Sequence, residues 1–106
     1  MITIKENRIF RKAYHKGKKE VTQNLVLYCI PNKDLTRVGI TVSTKVGKAV
    51  VRNRIRRLVR ESWRTFCVKE GYDVIIVART AAAKSDFHAI HKSLFELLSK
   101  SELIVK

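Results

Sequence analysis

A single proline and four glycines in 106 residues exclude a collagen-like or low-complexity chain. Cysteine is nearly absent: Cys29 and Cys67 stand alone, without C-x-x-C spacing, and read as reduced core or near-core thiols of an intracellular protein rather than a disulfide. No apolar run approaches the roughly 18 residues of a membrane span. The opening Met1-Ile2-Thr3-Ile4-Lys5-Glu6 has no apolar signal-peptide core. Acids are scarce, at nine, and no two of them fall into an acid/base or metal-ligand motif. His88 and His91 lie three apart, but no motif supplies further zinc ligands, and His15 reads as a surface residue. Gly47 by itself is not a phosphate-binding loop. These absences predict no catalytic group and no metal site in the chain itself.

Positive charge is abundant. Lys and Arg total 23, for a net charge of +14, while 45% hydrophobic residues suffice for one packed core. Residues 5–19 hold seven basic residues and one acid, and residues 45–64 hold eight and one, so 35 residues carry 13 of the 14 net charges. Such segregation focuses a positive potential, for which nucleic acid is the expected partner.

A single domain, residues 1–106, is expected, in the order α-β-β-β-α-β-α: an α+β layer with helices packed on a sheet of three or four strands. Residues 3–15 read as a short helix stopped at Gly17, with Ile9 and Ala13 sharing one face and Phe10 and Tyr14 another. Residues 18–21 suggest a short edge strand. Residues 24–30 form a strand followed by the turn residues Pro31-Asn32-Lys33-Asp34, and residues 36–43 return antiparallel to it. In that second strand Val38, Ile40 and Val42 face one way and Arg37, Gly39, Thr41 and Ser43 the other. Residues 48–68 form an amphipathic helix with Val51, Ile55, Leu58, Val59, Ser62, Trp63 and Phe66 inward. Residues 72–78 read as a central strand. A last helix capped by Ser85 or Asp86 buries Phe87, Ile90, Leu94, Leu97 and Leu98.

The informative stretch is Arg52-Asn53-Arg54-Ile55-Arg56-Arg57-Leu58-Val59-Arg60. Its apolar face fixes the helix to the core, which holds the guanidinium face ready, and Arg forks match pairs of phosphate oxygens. Lys45, Gly47 and Lys48 lead into a helix N-terminus that favours phosphate. Because the apolar face belongs to the core, a membrane-surface role is disfavoured. Strands on both sides leave no partner for a helix-turn-helix.

The run Val38–Arg64, with its Arg-Asn-Arg core and preceding Ser-x-Lys-x-Gly-x-Ala-Val pattern, resembles the signature of the bacterial ribonuclease P protein subunit. Phe10, Tyr14, Gly17 and Leu25-Val-Leu-Tyr28 are similar to that family's first helix and strand, and Tyr72–Arg79 to its late strand. Thr44 departs from the pattern, which often has Lys there. The resemblance implies a left-handed β-α-β crossover, where strand twist alone favours the right-handed form. It also implies a division of labour in a cytoplasmic ribonucleoprotein. The RNA subunit cleaves the 5′ leader from precursor tRNA with Mg²⁺, and one protein binds each RNA. On this resemblance Lys45, Lys48, Arg52, Asn53, Arg54, Arg56, Arg57 and Arg60 bind the catalytic RNA. Phe10, Tyr14 and Tyr28, with Arg52 at the edge, line a cleft for the single-stranded leader. Aromatics among cations suit unpaired bases on physical grounds too. All three rings also have a bland reading as packing residues facing the sheet. A ribosomal or RNA-chaperone protein would share the charge and the layer, and is the competing reading.

Overall fold

The apolar run Tyr72–Ala78 lies at the centre of a five-stranded mixed sheet. In the computed structural model, which describes residues 1–105, the elements are β1 (Ile2–Thr3), α1 (Asn7–Lys16), β2 (Lys18–Val21), β3 (Leu25–Pro31), β4 (Arg37–Val42), α2 (Ala49–Trp63), β5 (Tyr72–Ala78) and α3 (Phe87–Lys100). A 3-10 segment, Thr80–Lys84, joins β5 to α3. The strand order is β1-β4-β5-β3-β2, with β4 parallel and β3 antiparallel to β5. β4, α2 and β5 therefore form a parallel β-α-β crossover. No helix among the described residues is long and apolar enough to cross a membrane.

Four expectations need correction. First, β3 and β4 do not pair as a hairpin, because β5 lies between them. The expected turn chemistry is present: the Asp34 amide donates to Asn32 Oδ1 at 2.8 Å and the Leu35 amide to Asp34 Oδ1 at 2.8 Å. Those bonds reverse the chain without choosing its neighbour. A strand apolar on both faces gains most from a central position, with a ladder on each edge and helices above and below. Second, α1 starts at Asn7 rather than residue 3. Ile2 and Thr3 instead pair with Arg37 and Val38, supplying a fifth strand that shields the outer edge of β4. Third, α2 ends at Trp63. Thr65 and Phe66 tighten into i→i+3 bonds, and the chain then pairs with the C-terminal tail through Val68 and Ile104. Fourth, Phe87 is exposed, stacked on His91 at 5.4 Å between centroids rather than buried. Of the two candidate caps, Asp86 is the one used, accepting from the Ala89 amide at 2.9 Å.

Two apolar clusters flank the sheet. Leu25, Leu27, Val38, Val42, Val74 and Ile76 meet Ile55, Val59 and Trp63 of α2 and Ile90, Leu94, Leu97 and Leu98 of α3. On the other face, Ile30 and Ile75 meet Ile4 and α1's Ile9 and Ala13. The alternation read in β4 holds: Val38, Ile40 and Val42 pack toward α2 and α3, leaving Gly39 and Thr41 on the α1 side.

Both cysteines are free; Cys29 is buried and Cys67 exposed. Cys67 is thus not a core thiol. Alkylation should modify Cys67 in the native protein and Cys29 only after unfolding, counted by mass spectrometry. Burial pushes the Cys29 thiol pKa up. The native state then keeps a proton that the unfolded chain releases above about pH 8.5. Stability from this source is full below that pH and falls as pH rises beyond it. Cys29→Ala should flatten the alkaline decline in melting temperature.

Candidate nucleic-acid interface

α2 is held by Ile55, Val59 and Trp63, all buried. At 3.6 residues per turn, that anchor turns Asn53, Arg57, Arg60 and Arg64 to solvent, with Arg52, Arg54 and Arg56 half-buried at the flanks. Arg56, Arg57 and Arg60 therefore do not point into the core. Arg56 Nη1 donates to Asn53 Oδ1 at 3.1 Å, and Arg57 Nε sits 3.8 Å from Glu61. Arg52 Nε donates to the Gly47 carbonyl at 3.2 Å, while Arg54 Nη2 donates to the Ser85 carbonyl at 2.8 Å. Lys45 and Lys48 are exposed around buried Val46, which pins the loop before the helix. Lys48 caps α2 without a side-chain bond, and no acid lies in the first turn, so nothing opposes the positive end of the helix dipole.

On the opposite face of the sheet, α1 and the strands form a shallow aromatic groove. The Tyr14 ring stands edge-on to Tyr28, 4.9 Å between centroids, and 6.4 Å from Phe10. Lys19 Nζ lies 5.6 Å above the Tyr28 ring. A hollow of about 410 Å³ is lined by Asn7, Phe10, Arg11, Tyr14 and Thr41. The Tyr14 hydroxyl lies 3.4 Å from Thr41 Oγ1 across it.

The three rings are not equivalent. Phe10 and Tyr28 are half-buried and pack on the Ile30–Ile75 cluster, whereas Tyr14 is 40% exposed. Phe10 owes its seat to Gly39, where a Cβ would come within 2.7 Å of the ring's Cζ. Among the described residues, no hydrogen bond or ring contact joins Arg52 to the trio. Asn7, Arg11, Lys19, Gly39 and Thr41 were not singled out from sequence. Gly39 and Thr41 were nonetheless legible as the polar side of an alternating strand.

At the far end of this face, Asp73, only 6% exposed, accepts from Arg37 Nε and Nη2 at 2.8 and 2.9 Å and from Asn32 Nδ2 at 2.8 Å. The hydrogen bonds to Asp73 push the Arg37 guanidinium further above its ordinary pKa. The carboxylate is thereby committed to structure. His91 is likewise engaged, its Nδ1 2.9 Å from Ser62 Oγ and its ring stacked on Phe66 at 4.9 Å. The geometry thus offers two separated surfaces, the guanidinium face of α2 and the aromatic groove beside α1, and, among the described residues, no assembled acid/base pair.

The family model described as Ribonuclease P matches residues 2–102. The chain belongs to the ribonuclease P protein family. It is 41% identical over 106 residues to the ribonuclease P protein component of Clostridioides difficile, covering 96% of this chain and 93% of that protein. With the component of Clostridium acetobutylicum the identity is 44% over 112 residues, covering 96% and 94%. The fold matches the Staphylococcus aureus RNase P protein with a TM-score of 0.89 at 32% identity, covering 99% of each chain. It matches the RNase P protein from Thermotoga maritima with a TM-score of 0.84 at 28% identity, covering 94% of this chain and 97% of that one. Membership makes the chain a protein component of a ribonucleoprotein of tRNA processing, with an RNA partner. It also favours this reading over the ribosomal or chaperone alternative.

Proposed function

We propose that the exposed face of α2 binds the catalytic RNA of ribonuclease P, while the α1 groove holds the unpaired 5′ leader of precursor tRNA. One protein serves each RNA, in the cytoplasm, and the RNA breaks the phosphodiester bond. The observation that carries this reading is that the exposed Arg57, Arg60 and Arg64 belong to a helix locked to one face of the sheet, while the exposed Tyr14 sits on the other. Lys45, Lys48, Asn53, Arg56, Arg57 and Arg60 supply donors to phosphate and sugar. Arg52, tied to Gly47, lends charge at the start of the helix. Tyr14 offers the open stacking face, Phe10 and Tyr28 support it, and Arg11 and Lys19 lend charge to a passing backbone.

Mg²⁺ belongs with the RNA in this reading. The chain's own residues do not fit a magnesium cage: Asp73 is occupied by Arg37 and Asn32, and among the described residues no three His, Cys, Asp or Glu side chains gather.

Reconstitution tests the proposal. The protein alone should leave precursor tRNA intact, and with ribonuclease P RNA at low Mg²⁺ it should raise the rate of leader removal. An RNA whose rate and substrate affinity the protein leaves unchanged would refute it.

A further inference from the structure

The six arginines between residues 52 and 64 do not have equal freedom. Arg56 and Arg57 bond only within α2, and Arg52 bonds to the loop at its start. Arg54 alone among them, within the described residues, donates to a distant part of the chain: its Nη2 meets the carbonyl of Ser85, between the 3-10 segment and α3, at 2.8 Å. Ser85 is the residue before the α3 cap, and it is buried.

Behind Ser85 runs a buried polar chain. Ser85 Oγ donates to the Ala81 carbonyl at 3.1 Å and accepts from Asn24 Nδ2 at 3.2 Å. Asn24 is buried in the β2–β3 turn. Its Oδ1 accepts from Ser93 Oγ of α3, and the Thr22 hydroxyl lies 3.3 Å from the same oxygen. Its carbonyl accepts the Arg79 amide at 2.9 Å, tying in the end of β5. Apolar contact is non-directional and leaves a helix free to slide or roll slightly. A satisfied buried polar network permits one arrangement only.

We propose that Arg54 is a positioning residue and not a contact to the RNA: through Ser85 and Asn24 it fixes the heading of α2, so that its neighbours meet the RNA in register. The proposal rests on the reading of α2 as the RNA-binding face.

The decisive variant is Arg54→citrulline, installed by ligation of synthetic segments, which removes the charge and keeps the NH2 donor. With ribonuclease P RNA it should bind within about twofold of wild type, with an unchanged dependence of log affinity on log salt, because no counterion-displacing contact is lost. Arg54→Ala should weaken binding about five- to tenfold through lost positioning, again with the slope unchanged. Asn24→Ala should reproduce that loss, and the double variant should be no worse than either single one. A slope reduced by about 1 in the citrulline protein would identify a phosphate contact and overturn the proposal. So would an Asn24→Ala protein that folds and binds like wild type; should that variant not fold, the citrulline result decides alone.

Arg57→Ala, run in parallel, separates the two levels. If it lowers the slope and Arg54→citrulline does too, only the positioning role fails. If Arg57→Ala leaves the slope unchanged, the reading of α2 fails and the positioning role falls with it.

Discussion

Replacing Arg57 and Arg60 together by alanine is expected to weaken binding to ribonuclease P RNA by roughly a hundredfold or more, from two lost charge-assisted hydrogen bonds. The slope of log affinity against log salt should fall by about 2. Both side chains are exposed on the solvent face of α2, and among the described residues the only side-chain partner of either is Glu61, beside Arg57. The one ion pair involved, Arg57 with Glu61 at 3.8 Å, is an exposed pair four residues apart on a helix. Such pairs contribute only about 0.3–0.5 kcal/mol. The melting temperature should therefore stay close to that of wild type, which separates lost contact from lost fold. Filter binding from low to moderate salt gives both numbers at once. A large loss of affinity at unchanged slope would mean that these arginines act other than on phosphate.

Tyr14→Ala is expected to act on the substrate and not on the ribozyme. The reconstituted enzyme should lose roughly 1–3 kcal/mol of its preference for leader-bearing over leaderless tRNA, the usual worth of one base stacked on an aromatic ring. Its affinity for ribonuclease P RNA should stay at the wild-type level. Tyr14 is a cleaner probe than Phe10, whose ring is seated against Gly39 and Ile75, so that truncating it also opens the core. Tyr14→Phe should keep most of the preference, since it sacrifices only the hydroxyl contact to Thr41 at 3.4 Å. Equal binding of the two tRNAs by wild type and Tyr14→Ala alike would remove the groove from substrate recognition.

Much of this was legible because it is periodic. The stripe Ile55-Val59-Trp63 and the alternation along β4 are local patterns, and each names the face that a side chain occupies. The double-sided apolarity of Tyr72–Ala78 located the central strand. Pairing was not legible. The turn at Pro31–Asp34 reverses the chain whether or not β3 and β4 become neighbours, and only the completed sheet inserts β5 between them. Ile2 and Thr3 form a strand because an edge is available, not because two residues have a strand signal. The C-terminal limit of α2 depends on the tail beside Val68, and the exposure of Phe87 on a stack completed by His91. At the interface, residue types were readable but their commitments were not. Arg54 looks like its neighbours in sequence, and only its bond to Ser85 sets it apart. Gly39 reads as a small strand residue until the ring of Phe10 is placed over it.

Photocrosslinking in the reconstituted complex with precursor tRNA tests the separation of the two surfaces most directly. A benzophenone amino acid in place of Tyr14 should label the 5′ leader, and the same group in place of Arg57 should label the ribonuclease P RNA. Both positions labelling the same RNA, or position 14 labelling only the mature part of the tRNA, would contradict it.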